Sequence, residues 1–441
     1  GRGGGLVTWW TTLVGADANS GLAVRAGPLA SNTVLVQTAA QVSAALSIPA
    51  GPLCTGRNFL VTLTVTNAGS AAATLLTVPD PLADVAGVVA KVAGPTPALP
   101  FTLTGTATRV FTWTYTGSLA GLVTLTTTVS GLDVNSGLPI TTGPVPAGPL
   151  LIQTPGVLAG SLLAPSFVST GQYFTVSLTV TNEGEADVAV ITATVMATSG
   201  GAFATKVNGP APAGPLILAG GASQTFVWTY SGTAAGTVTF SATGGGTTCG
   251  GTWVRGASTA PVTVQTKAAL VARALARPLT VSTGQGVLVM LTVTNAGQAA
   301  AQGVTPASFA LSGPGGAALA DGPTPPAPFD LAGGAAVTFT WTYTASVPGI
   351  TGWTTTVTAM DLNSGLALAT GPVVSNTVFI QAAAALAASL NFPPGPVCTG
   401  RTFLVTLTVT NAGAASATLV AASAFSSGGP GGATQTAGPT P

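Results

Sequence analysis

Read for hydrophobic and polar positions, the chain shows one stretch that keeps returning. Residues 59–69 read Phe-Leu-Val-Thr-Leu-Thr-Val-Thr-Asn-Ala-Gly. Phe59, Val61, Leu63 and Val65 fall on one face at period two, and Leu60, Thr62, Thr64 and Thr66 on the other. That alternation predicts a strand with one face in a core. Asn67-Ala68-Gly69 then supplies turn conformations that end it. The pattern recurs at 173–184, 287–297 and 403–413, with turn asparagines Asn67, Asn182, Asn295 and Asn411 at spacings of 115, 113 and 116 residues.

Other landmarks keep fixed offsets from each asparagine. A Gly-Pro-x-Pro loop begins 27 residues later, at Gly94, Gly209, Gly322 and Gly438. A second strand carries aromatic residues on one face: Phe111, Trp113 and Tyr115, then Phe226, Trp228 and Tyr230, then Phe339, Trp341 and Tyr343. Alternation with threonine makes this a core face; a surface platform for sugars is the alternative. A third strand leads into a hairpin tip, Asp133-Val134-Asn135-Ser136-Gly137, repeated at 17–21 and 361–365. Each repeat ends in glutamine, at Gln37, Gln153, Gln265 and Gln381, and the next begins almost at once.

The chain therefore divides into the C-terminal part of one repeat (1–37), three whole repeats (38–153, 154–265 and 266–381) and the N-terminal half of another (382–441). No Gly/Ser-rich or Pro-rich linker separates them, so neighbouring domains should be closely coupled. Residues 345–441 match 1–97 without a gap at an offset of 344, with about half the positions identical, Cys54 with Cys398 and Arg57 with Arg401 among them. The larger unit is three slightly different domains. Because the aromatic strand falls in the interval between tail and head, the expectation is a window in a longer tandem array. Short strands, frequent turns and no amphipathic helix predict an all-β fold of antiparallel β-sandwich domains of immunoglobulin type, arranged as an elongated row.

The run 62–69, with Ala71-Ala72-Ala73 after it, resembles the Thr-Val-Thr-Asn-x-Gly signature of CARDB-like and related bacterial and archaeal surface repeats. The resemblance extends over every repeat. It implies location and architecture, those of extracellular spacers, adhesins and envelope proteins, and no particular activity.

Composition narrows the functional classes. Charged residues make up 5% of the chain and the formal net charge is +1, so no basic stripe is available for nucleic acid. Mean hydropathy is +0.59, yet threonine, glycine and proline interrupt every apolar run before it could form a membrane-spanning helix. The 59 glycines and 33 prolines lie between strands and read as turns. Three cysteines with almost no lysine or glutamate point outside the cytosol.

Histidine is absent, which removes Ser-His-Asp and Cys-His catalysis and histidine metal sites. No phosphate-cradling or dinucleotide glycine loop occurs. Asp-x-Asn-Ser-Gly resembles the opening of a calcium loop, but the later ligands are missing and a hairpin turn is the better reading. The acidic cluster of Glu183, Glu185 and Asp187 is assigned to a solvated or domain-junction role, with a calcium site as the alternative. The expectation is a non-enzymatic protein with no cofactor. Threonine-rich outer faces offer places for O-linked sugar.

The cysteines carry the sharpest expectation. Cys54 lies in the loop before the second strand of the first whole domain, and Cys249 at the hairpin tip of the next. In immunoglobulin-type sandwiches these loops lie at opposite poles, so tandem stacking brings them to one junction. A Cys54–Cys249 disulfide is predicted, with two isolated buried thiols as the alternative, and Arg57 is placed near Glu183 or Glu185. Cys398 would find its partner beyond Pro441 or in another chain. The leading functional reading is an extracellular rod, fibre or filament, self-associating through a nearly uncharged surface. An adhesin stalk or ligand-binding surface array is the alternative.

Overall fold

The structure is a computed structural model, and it describes residues 4–193, 197–199, 203–249 and 251–440. Every regular element among them is a strand, and none is a helix long and apolar enough to cross a membrane. The strands build tandem immunoglobulin-like β-sandwiches. In the first, one sheet has the order Val89–Thr96, Thr108–Gly117, Asn58–Asn67, Val42–Ser47. Facing it are Phe101–Leu103, Ala73–Thr77, Ser130–Asp133 and Pro139–Thr141 in one sheet, and Leu53–Cys54, Val145–Gln153, Gly121–Thr127 and Leu82–Ala83 in another. All these pairings are antiparallel except Leu53–Cys54 with Val145–Gln153. The first sheet has the strand order of the four-stranded sheet of an immunoglobulin constant-type domain, the facing layer is built of two four-stranded sheets, and the first strand is divided between the layers.

The period-two motif and the aromatic strand are neighbours in one register in all three domains. Phe59 faces Tyr115, Val61 faces Trp113 and Leu63 faces Phe111. Val176 faces Trp228, and Val289 faces Trp341, in the same frame. The tryptophans are 1%, 1% and 7% exposed, which rules out a surface platform and makes them core. Each domain closes around its own apolar cluster. Threonine hydroxyls meet in pairs on the outer face, as at Thr66–Thr108, Thr179–Thr225 and Thr292–Thr338.

The motif asparagine does more than end a strand. Asn67, Asn182 and Asn295 are fully buried. Asn295 Oδ1 accepts the amides of Ala269 and Gly297, both at 3.1 Å, and its Nδ2 donates to Ala299 O at 2.8 Å and Leu331 O at 3.2 Å. Asn67 and Asn182 make the equivalent bonds. One carboxamide thus ties the segment entering a domain to its first turn and to the opposite layer. The glycine two residues on is required by close approach: a Cβ at Gly69, Gly184 or Gly297 would run into the carbonyl of Ala39, Pro155 or Lys267 on that entering segment.

The end segments keep the same pairings. Residues 5–7 pair with 34–36 as 349–351 pair with 378–380, and 386–391 pair with 406–411 as 42–47 pair with 62–67. The chain exposes 24317 Å². A single compact body of 42.5 kDa would expose about 15,000 Å².

Replacing Asn295 by Ala strands several buried backbone groups, each costing about 1–3 kcal/mol. The third domain should lose at least about 3 kcal/mol in denaturant unfolding, while Thr292→Ala on the outer face should cost less than about 1 kcal/mol. Equal effects from the two would contradict the role given to the asparagine. Trp228→Ala should cost about 3–5 kcal/mol in the second domain by the same assay.

Candidate functional site

The built polar features of the molecule gather where one domain meets the next. Three layers of contact make the two junctions between whole domains. The first is backbone: the amide of Ala71, Ala186 or Ala299 donates to the carbonyl of Thr38, Thr154 or Thr266 on the entering segment. The second is the glutamine that closes each repeat. Nε2 of Gln37 donates to Ser70 O, Nε2 of Gln153 to Glu185 O and Nε2 of Gln265 to Gln298 O, at 2.7, 3.2 and 3.4 Å.

The third layer comes from opposite poles of adjacent domains and differs between junctions. Between the first and second domains, Cys54 and Cys249 form a disulfide with Cα atoms 5.9 Å apart. The loop it closes spans 195 residues, for which the chain-entropy argument gives about 5 kcal/mol against unfolding both domains together. Arg57 lies beside it. Its Nε and Nη2 donate to the carbonyl oxygen of Cys249 at 2.9 and 2.7 Å.

Arg57 therefore does not pair with Glu183 or Glu185, contrary to the expectation from sequence. The hairpin drawn in by the disulfide presents a carbonyl to the guanidinium fork. The Glu185 carboxylate is occupied by the Thr154 amide, at 2.9 Å. The one ion pair among the described residues lies elsewhere, between Lys91 and Asp80 at 2.6 Å. Asp80 also accepts Trp113 Nε1 at 2.9 Å.

Between the second and third domains the same poles meet without sulfur. Ser169 Oγ donates to the Asp361 carboxylate, 2.8 Å from Oδ1. Gln172 Nε2 donates to Asn363 O at 2.9 Å, and Asn363 Nδ2 to Gln265 Oε1 at 2.8 Å. Asp361 also accepts the Ala268 amide, and the amide and hydroxyl of Ser364. Both carboxylate oxygens are thus met by N–H and O–H donors, which is the geometry of a turn and not of a cation ligand. Burial pushes the Asp361 carboxyl up, but the bonds from Ala268, Ser364 and Ser169 outweigh it and hold the group below its ordinary value. The equivalent Asp133, bonded by the Ala40 and Ser136 amides, is held at about 2.

Sequence reading placed the cysteine pair and the junction itself. It treated the terminal glutamines and Ser169, Gln172 and Asn363 as landmarks or passed over them. The signal available was recurrence: a glutamine at the same place in every repeat, on a strand that needs no polar end for packing.

No family model matches the chain, and no curated protein sequence does, so the likeness to CARDB-like repeats rests on the motif alone. Among solved structures, the chain is similar to an ICAM-5 D1–D4 ectodomain fragment at 11% identity and a TM-score of 0.25, covering 84% of this chain and 99% of that one. It is also similar to native alpha-2-macroglobulin of E. coli at 12% identity and a TM-score of 0.20. That match covers 89% of this chain, which spans 30% of the macroglobulin's length. At these scores the whole chains do not superpose, and the immunoglobulin-like assignment stands on the strand order above.

The two junctions should respond to different agents. A carboxylate with a depressed value stabilises the fold above its unfolded value of about 3.9 and loses that contribution as pH falls through the folded value. Exchange of the Ala268 amide should accelerate below about pH 4, while the Cys54–Cys249 junction stays closed. A reductant at neutral pH should do the reverse, releasing the paired strands Gly236–Thr248 and Gly251–Ser258 and leaving Ala268 protected. Hydrogen exchange read peptide by peptide checks both, and acid opening of the covalent junction first would contradict the assignment.

Proposed function

We propose that this protein is a non-enzymatic structural element, a rod of tandem sandwiches working outside the cell. The observation that carries the reading is the junction. The first and second domains each grip their successor through backbone, glutamine and pole contacts, with no free linker between. A hinge between domains would require those bonds to break together, so the design favours a fixed spacing between ends over independent motion. The excess of exposed surface over that of one compact body supports separate domains in a row.

Two further features support the location and the partner. A disulfide between domains persists in an oxidising compartment, which favours the cell surface or beyond. The low charge removes the repulsion that keeps soluble proteins apart, so copies of the chain are the partners proposed, meeting through threonine-rich and apolar faces. Outward side chains such as Leu60, Val110, Leu288 and Val271 are exposed in the sheets that bear the motif.

Small-angle scattering should return a maximum dimension above about 100 Å, since each strand of roughly eight residues makes a domain on the order of 30 Å long. A near-spherical particle would contradict the rod. Self-association followed by sedimentation should be unchanged between about 0.05 and 0.5 M salt, because charge pairs contribute little to it. Dissolution of the assemblies by salt would overturn the uncharged-contact argument.

A further inference from the structure

The covalent and polar junctions are one surface with two chemistries. Cys54, Ser169 and Ser282 each stand 13 residues before the buried asparagine, and Arg57, Gln172 and Gln285 each stand 10 before it. On the facing hairpins, Asp133, Thr248 and Asp361 correspond. Asp133 Oδ2, Thr248 Oγ1 and Asp361 Oδ2 accept the equivalent amides of Ala40, Gly156 and Ala268. Val134, Cys249 and Leu362 follow them and therefore correspond too. Arg57 and Gln172 perform the same act, donating to a carbonyl of the hairpin opposite.

The third domain carries the polar version ready-made. Gln285 Oε1 accepts the Ser282 amide at 2.7 Å, as Gln172 Oε1 accepts the Ser169 amide at 2.7 Å. This pins the glutamine so that its NH₂ group faces away from its own loop, where Gln172 meets the next domain. The first domain carries the matching half. Asp133 is bonded by the Ala40, Asn135 and Ser136 amides, and Asn135 Nδ2 sits on Gln37 Oε1 at 3.0 Å, as Asn363 Nδ2 sits on Gln265 Oε1. Among the described residues, Asp133 differs from Asp361 in having no serine hydroxyl from a neighbouring pole.

We propose that the Ser282–Gln285 pole is a docking surface for a sandwich domain whose hairpin reads Asp-x-Asn-Ser, the chemistry displayed at 133–136. The Asp133 hairpin is the docking surface for a pole of the Ser-x-x-Gln kind. The pole residues select the successor. A Ser-x-x-Gln pole facing a cysteine hairpin leaves its hydroxyl without the carboxylate, and a Cys-x-x-Arg pole facing an Asp hairpin leaves the thiol without a partner. Junctions then follow the order covalent, polar, polar along each three-domain unit. This rests on the tandem-rod reading and adds to it the rule that orders the domains.

The test lengthens the full chain at Pro441 with its own residues 98–381, since Pro441 matches Pro97, giving the third domain a complete successor of the first-domain kind. Cys398 and the appended copy of Cys249 are changed to Ser. Ser282→Cys is then combined with Val134→Cys in the appended copy. In parallel, Ser169→Cys with Leu362→Cys is made in the 441-residue chain. Both pairs should be cross-linked in most molecules, on peptide mapping without reductant. No link should form when Ser282→Cys is combined with Val134→Cys in the first copy instead. A link at Ser169→Cys/Leu362→Cys with none at Ser282→Cys overturns the docking surface. Failure of both pairs overturns the equivalence behind it. Scattering from the lengthened chain separates this from the rod: a longer particle without the links leaves the rod standing and removes the ordering rule, whereas a compact particle removes the rod.

Discussion

A single buried carboxamide per domain holds the design together. The asparagine of the Asn-x-Gly motif sits where three pieces of backbone converge: the segment arriving from the previous domain, the first turn, and the short strand crossing to the other layer. Each arrives with amide or carbonyl groups that the sheets leave unpaired. An unmet buried group costs about 1–3 kcal/mol, so one side chain with two donors and two acceptor sites settles most of the junction's polar requirement. The adjacent glycine lets the arriving backbone come near enough for those bonds to form. Because the arriving segment is fixed at that point, the domain before it is fixed too.

The junctions show how a chain with little charge makes specific contacts. Neutral amides and hydroxyls need a much smaller desolvation free energy than ion pairs do. Gln265, Gln172 and Asn363 therefore join domains without bringing isolated charges out of water. Asp361 is the exception, and four hydrogen-bond donors surround it. Where the carboxylate is replaced, at Thr248–Cys249, a covalent bond and the Arg57 fork take its place. Two chemistries on one pole give neighbouring junctions different sensitivities while leaving the geometry alike.

Much of this was legible in the chain. Period-two alternation at 59–65 and 111–115 specified the strands and their buried faces. The unequal distribution of cysteines, read against opposite poles, pointed to one junction. The failures have physical causes. Arg57 was matched to Glu183 and Glu185 because opposite charge is the partner that sequence can show. A backbone carbonyl such as that of Cys249 carries no letter. Asn67 read as a turn residue because turn preference and buried bonding both favour asparagine. The contacts that separate the two depend on residues such as Leu103 and Gln41, distant or unremarkable in the chain. Gln265 and Asn363, nearly a hundred residues apart, become partners only once the hairpin of one domain is set on the end of another.

With no free linker at the junctions, the domains move as one body. Spin labels placed at Leu122→Cys in the first domain and Val271→Cys in the third, with Cys398→Ser, report on it through pulsed dipolar distance measurements. One narrow distance distribution is expected at neutral pH. A broad distribution under those conditions, with every domain folded, would contradict it.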